Sequence, residues 1–183
     1  MGRPASRLSV TLALVLSLGT VVGSGPASAT PAAKTAGTAA ARSPAVNMAD
    51  AAAVGRACMK VYWGYNTVTD VSRWNAVLRS AVYYTPSYAR ATRTIHPHPA
   101  TDPQWRTWAS HRAVIAVKLA AAMNGTPPPS TPTRTYLEFV GVLTPHGAQG
   151  WTGPSQTHVA WLVLTRANTD TGTPWLVARL VAQ

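Results

Sequence analysis

Thr135-Tyr136-Leu137-Glu138-Phe139-Val140-Gly141-Val142-Leu143-Thr144 is the stretch whose reading decides the fold. Leu137, Phe139 and Leu143 share one parity, while Tyr136, Glu138 and Val140 share the other, as in a strand with one face on a core. Three further stretches have the same richness in Val, Leu, Ile, Tyr and Trp: Ala113 to Ala122, Thr157 to Arg166 and Trp175 to Ala182. The breaks between them are Asn124-Gly125 with Pro127 to Pro129, then Pro145 to Pro154 with Gly147, Gly150 and Gly153, then Asn168 to Pro174. Turn residues at such intervals join consecutive strands into an antiparallel meander.

Parity assigns the faces. One set is wholly apolar and is expected to lie under helices: Ala113, Ile115, Val117, Leu119, Leu137, Phe139, Leu143, Val159, Trp161, Val163, Leu176, Ala178 and Leu180. The other set holds Val114, Lys118, Tyr136, Glu138, Val140, Val142, His158, Leu162, Leu164, Trp175, Val177 and Arg179. With helices on one side of the sheet only, this second face is an apolar patch with single polar groups, a pattern that suits an interface. Lys118, Tyr136, Glu138, His158, Leu162, Trp175 and Arg179 are its expected contact residues, and Trp161 is expected in the core beside Leu137 and Phe139.

Helical spacing precedes the strands. Val54, Cys58, Val61, Tyr62 and Tyr65 form an apolar stripe from Asn47 to about Tyr65, with Arg56 and Lys60 on another side. Thr69 or Asp70 is placed to cap a second helix with Val71, Trp74 and Leu78 along one side. Thr85-Pro86 and Asp102-Pro103 each pair a cap with a first-turn proline, so two short helices should start there. Between them, Ile95-His96-Pro97-His98-Pro99 must be extended. Helices first and strands afterwards make an α+β domain, with N-terminal helices packed on a curved four-stranded antiparallel sheet.

The domain is expected over residues 45–183. Ahead of it, residues 30–44 are rich in Ala, Thr and Pro without apolar anchors and read as a flexible linker. Residues 1–29 read as a signal peptide: Arg3 and Arg7, an apolar run from Leu8 to Gly23, and the small-residue site Ala27-Ser28-Ala29. Export follows, with the chain secreted or extracytoplasmic; a retained leader would anchor it in the membrane instead.

The chain carries sixteen Lys and Arg against five Asp and Glu, a net charge of +11. Removing the leader takes two arginines and no acid, leaving 14 − 5 = +9. An exported protein so charged is drawn to anionic membrane surfaces or cell-wall polymers. Its basic residues are scattered singly, so specific nucleic-acid binding is not expected. Cys58 is the only cysteine, which excludes an internal disulfide, and its place on a helix stripe implies burial.

Trp74 and Leu78 in the second helix, the Tyr84-Thr85-Pro86 turn and the terminal Gly172-Thr173-Pro174-Trp175-Leu176-Val177 strand resemble the nuclear-transport-factor-2-like cone fold, of cystatin-like architecture. Within it they look like actinobacterial conjugal-transfer proteins of the type IV secretion kind. The resemblance covers about residues 48 to 183. It implies a non-catalytic scaffold domain outside the membrane that works by homo-oligomerisation or by binding an envelope protein. Those subunits usually carry an uncleaved membrane helix behind a cytoplasmic tail, and here a cleavage site stands in its place.

Chemistry-bearing residues give little support to catalysis. Glu138 is the only acid within a strand, and its parity sets it beside Lys118 and Arg179 as an ion pair rather than in a pocket. His96, His98 and His111 lack a fourth ligand at zinc-binding spacing, so no metal or other cofactor is expected. Ser155, in Gly153-Pro154-Ser155, is not a nucleophile elbow. Trp151 reads either as a surface aromatic or as a lid on the sheet end. Two other functions compete with a scaffold: a secreted isomerase-like or hydrolase-like enzyme using a cone pocket, and a basic module for envelope polyanions or DNA.

Mass spectrometry of exported material should find Thr30 as the mature N-terminus. Peptides starting at Met1 or Gly2 in the membrane fraction would refute cleavage.

Overall fold

The computed structural model describes residues 45–95, 102–123 and 125–183. The expected leader and linker, and His96 to Pro99, lie outside the described residues. Everything below belongs to one compact unit, Ser43–Gln183.

Helix α1, Ala51–Trp63, starts at Asp50, whose carboxylate accepts the Ala52 and Ala53 N–H groups at 2.8 and 3.2 Å. It buries Val54, Cys58, Met59 and Trp63, the 3–4 spacing of an amphipathic helix. Helix α2, Arg73–Ser80, is capped by Ser72 in a capping box with Asn75, not by Thr69 or Asp70. Asp70 is buried instead, accepting the Asn66 N–H at 2.9 Å and pairing with Arg79. The expected α2 stripe is also corrected. Val71 is 85% exposed and Leu78 39%, and the helix buries the small Ala76 and Ser80 where it lies against α1. Thr85-Pro86 opens α3, Pro86–Thr94, and Asp102-Pro103 opens α4, Pro103–Ser110, with both caps accepting first-turn N–H groups as the sequence implies.

Strands β1 (Val114–Ala122), β2 (Arg134–His146), β3 (Gln156–Thr165) and β4 (Leu176–Ala182) pair antiparallel in the order β1-β2-β3-β4. The α+β class and the meander are as expected. Helix α1 touches all four strands, and the seating point is Gly141: a Cβ there would meet the Trp63 indole at 2.4 Å. A strand glycine of this kind marks where another group approaches the backbone closely. Ile115, Phe139 and Leu143 line the same inner face and are 5% exposed or less, as expected.

β3 is turned the other way from expectation. Ala160, Leu162 and Leu164 are its core residues, at 0%, 1% and 0% exposure, and Trp161 is 39% exposed on the outer face. The register explains it. Phe139 pairs with Ala160 and Glu138 with Trp161, so Trp161 shares the face of Glu138. In β4 the register shifts between the Val163–Arg179 and Leu164–Val177 pairs, which leaves Ala178 without a partner as a bulge. The bulge puts both Val177 and Leu180 in the core, at 0% and 9% exposure. No run of strict alternation could do this.

Cys58 is buried, as expected, and burial pushes its thiol up to about 12 from 9.0. Burial likewise pushes Tyr65 up to about 12 from 10.0, against a lowering by Arg73. Tyr84 is raised by burial too, against its hydrogen bond with Ser80. The folded state holds these protons more tightly than the unfolded one, so their contribution to stability is present below the unfolded pKa values and lost as pH rises from about 9 through 12. The denaturant midpoint should therefore fall steadily across that window, with tyrosinate absorbance lagging a free-tyrosine control; a midpoint constant to pH 12 would show that these groups are not enclosed.

Phe139→Ala should cost about 3–5 kcal/mol in urea titration, whereas Trp161→Ala should cost under about 1 kcal/mol. The reverse order would mean that β3 is misregistered.

Candidate docking surface

The outer sheet face is built by the strand register. Glu138 lies between Ala122 and Trp161, with Val181 beyond; the next row is Tyr136, Val163 and Arg179. Towards the other end, Val140 lies between Ala120 and Val159, and Val142 between Lys118 and Thr157. Trp161 and Val181 are each 39% exposed and Val114 47%, while Tyr136, Val140, Val142, Val159 and Val163 are half-buried. Trp161 and Val181 are direct neighbours across β3 and β4, so their open apolar surface is contiguous. A groove of about 490 Å³ opens at the end of the sheet where β1 finishes and β2 begins, lined by Trp161, Glu138 and Arg179 of the outer face and also by Arg56 of α1 and by Leu137 and Phe139 of the inner face.

The expected contact residues divide between the two faces. Lys118, Tyr136, Glu138 and Arg179 are on the outer face, with Lys118 and Arg179 exposed. Leu162 and Trp175 are corrected: they are 1% and 8% exposed and belong to the core. Trp175 is covered in part by the Arg166 guanidinium, 4.9 Å over its ring. His158 is corrected too, since it pairs with Gly141 on the inner face, its ring 6.1 Å from Trp63 and its Nδ1 2.9 Å from the Gln183 carbonyl oxygen. Lys118 is four residues along the strands from the Glu138 position, opposite Val142, so the expected pair of these two charges is not formed by the register. Trp161, Val159 and Val163 are the residues that parity missed. The signal was present only weakly: Ala160 is the small residue in β3 and stands at the depth of Phe139.

Other candidate groups have structural partners. Trp151 stacks on His111 with ring centroids 4.0 Å apart and planes 5° from parallel, above Gly147 and Gly153, which is the lid reading. Ser155 shares a hydrogen bond with Thr144 at 2.7 Å. Arg73 is held by Asp102 at 2.9 Å and lies 4.8 Å over the Trp108 ring. Among the described residues no three His, Cys, Asp or Glu side chains are grouped as metal ligands, and no helix is long and apolar enough to cross a membrane.

No protein-family model and no curated protein matches the chain. Among solved structures it is similar to a TrwG component of type IV secretion system protein from Bartonella birtlesii, at 14% identity and a TM-score of 0.41, over 70% of this chain and 87% of that one. It is similar also to the VirB8 protein of Agrobacterium tumefaciens, at 14% identity and a TM-score of 0.40, over 72% of this chain and 90% of that one.

Proposed function

We propose that this chain is an exported, non-catalytic scaffold domain that docks a second copy or an envelope protein through the outer face of its sheet, as an accessory of a cell-envelope or conjugal-transfer complex. The single observation behind this reading is Trp161, a large aromatic held 39% open at the centre of an apolar strand. Exposed tryptophan surrounded by aliphatic side chains and bordered by single charges is the composition of an interface centre. Export rests on the leader, and the transfer-complex setting on the Tyr84-Thr85-Pro86 and Gly172 to Val177 motifs.

The enclosed polar groups favour a scaffold over an enzyme. Buried Asp70 is taken up by Arg79 and the Asn66 N–H, and buried Ser80 by Val77 and Tyr84. The Asp70–Arg79 pair fixes the α1–α2 connection on α2, and the Ser80–Tyr84 bond ties α2 to the turn before α3, so the burial of these two side chains has a structural cause.

Trp161→Asp should weaken assembly at least tenfold in light scattering while leaving the circular dichroism spectrum unchanged, because a charge is tolerated in water and not in a contact. Leu162→Asp should unfold the domain. A wild-type protein that stays monomeric at high concentration and binds no envelope component would end this reading.

A further inference from the structure

The two edges of the sheet are finished differently. At β4 the edge is closed: the Thr85 N–H donates to the Val177 carbonyl at 2.9 Å, the Trp175 N–H to the Met48 carbonyl at 2.8 Å, and the Tyr88 hydroxyl to the Leu180 carbonyl at 3.2 Å. At β1, among the described residues, only the beginning is covered. The Ile115 N–H donates to the Tyr65 carbonyl and the Thr67 N–H to the Ala113 carbonyl, each at 2.9 Å. The Ile115 N–H therefore points away from β2, in keeping with its partner Pro145, which has no N–H to offer. Alternation then aims the N–H and C=O groups of Val117, Leu119 and Ala121 outward as well, because β1 pairs with β2 without a bulge. Among the described residues no hydrogen bond is made at these three outward positions.

We propose that the open β1 edge takes up an extended segment of another protein as a fifth strand, one with an acidic side chain facing Lys118. The stretch is suited to it, since Ala116, Ala120, Ala121 and Ala122 give a partner backbone close access and Val117 and Leu119 are half-buried core residues that a further strand would cover. Lys118 decides the partner's chemistry. It is exposed on the outer side, in the middle of β1, and a β1 strand of a second copy centred there would set lysine against lysine. An acidic residue opposite it makes a favourable cross-strand pair, and a chain of net charge +11 draws such a segment in. Lys118 borders the outer face, but the pairing proposed here uses the outward backbone groups of β1 and does not depend on docking through that face.

The probe is a capped peptide of about seven residues, an ordinary strand length, with alternating Val and Glu, added to the full-length chain. Amide hydrogen exchange at Val117, Leu119 and Ala121 should slow at least tenfold, and a Val and Lys peptide should do this at least tenfold more weakly. Lys118→Glu should reverse that preference. Ala121→Pro, which removes an outward N–H and no β1–β2 bond, should abolish protection, as should N-methylation of the peptide where the variant does not fold. No protection at millimolar peptide, or equal protection by both peptides, would overturn the proposal. So would protection that grows with protein concentration alone, which would make a second copy the occupant.

Discussion

The Trp63 indole lying against the bare backbone of Gly141 is the contact from which the rest of the architecture follows. With a Cβ at Gly141 only 2.4 Å from the ring, no other residue fits without displacing the Trp63 indole. The helix sits low over the sheet, and Gly55 continues the same approach, where an added Cβ would meet Leu137 at 2.7 Å. Because α1 reaches all four strands, its seating determines which face of each strand is inside. The outer face is then whatever α1 does not cover. Its apolar character is thus a separate property of the sequence, not required by the core.

This dependence separates what was legible in the sequence from what was not. β1 and β2 are legible because each carries a charged residue at the outer parity, Lys118 in one and Glu138 in the other. β3 offers no such contrast: Val159, Trp161 and Val163 are as apolar as Ala160, Leu162 and Leu164, and side-chain size alone points to the wrong set as the core. Burial follows the register set by Phe139 and the helix above, and a tryptophan on an open face contradicts only the average preference for burial. In β4 the bulge at Ala178 carries both Val177 and Leu180 inward, a break that alternation cannot express. Of the expected contact residues, those on β1 and β2 kept their face, Arg179 kept it because it follows the bulge, and His158, Leu162 and Trp175 did not.

The caps with a first-turn proline are legible: Thr85 and Asp102 each accept first-turn N–H groups, a local chemistry that sequence expresses within a few residues. Helix α2, by contrast, starts from Ser72 and not from Thr69 or Asp70. The side that α2 buries depends on a neighbour distant in sequence. Ala76 and Ser80 are small, and their size lets the helix lie close while Val71 and Leu78 stay exposed. Arg73 completes this corner: paired with Asp102 and lying over the rings of Tyr65 and Trp108, it joins α2 to α4 and to the segment that covers the start of β1.

That corner also explains why, among the described residues, the outer edge of β1 is paired only at its start. The α1–α2 connection reaches the sheet at Tyr65 to Thr67 and is held there by the Arg73 contacts and by the Asp70–Arg79 pair. It then leaves for α2, so its backbone supplies partners only to the first residues of β1. Beyond Ala116 the strand relies on other means, and Lys118 is the one charge among small and aliphatic side chains from Val114 to Ala122. A single edge lysine is a recognised obstacle to pairing between identical strands. The same lysine does not hinder a strand of opposite charge, so the residue that keeps this edge from self-association also selects what is able to bind there.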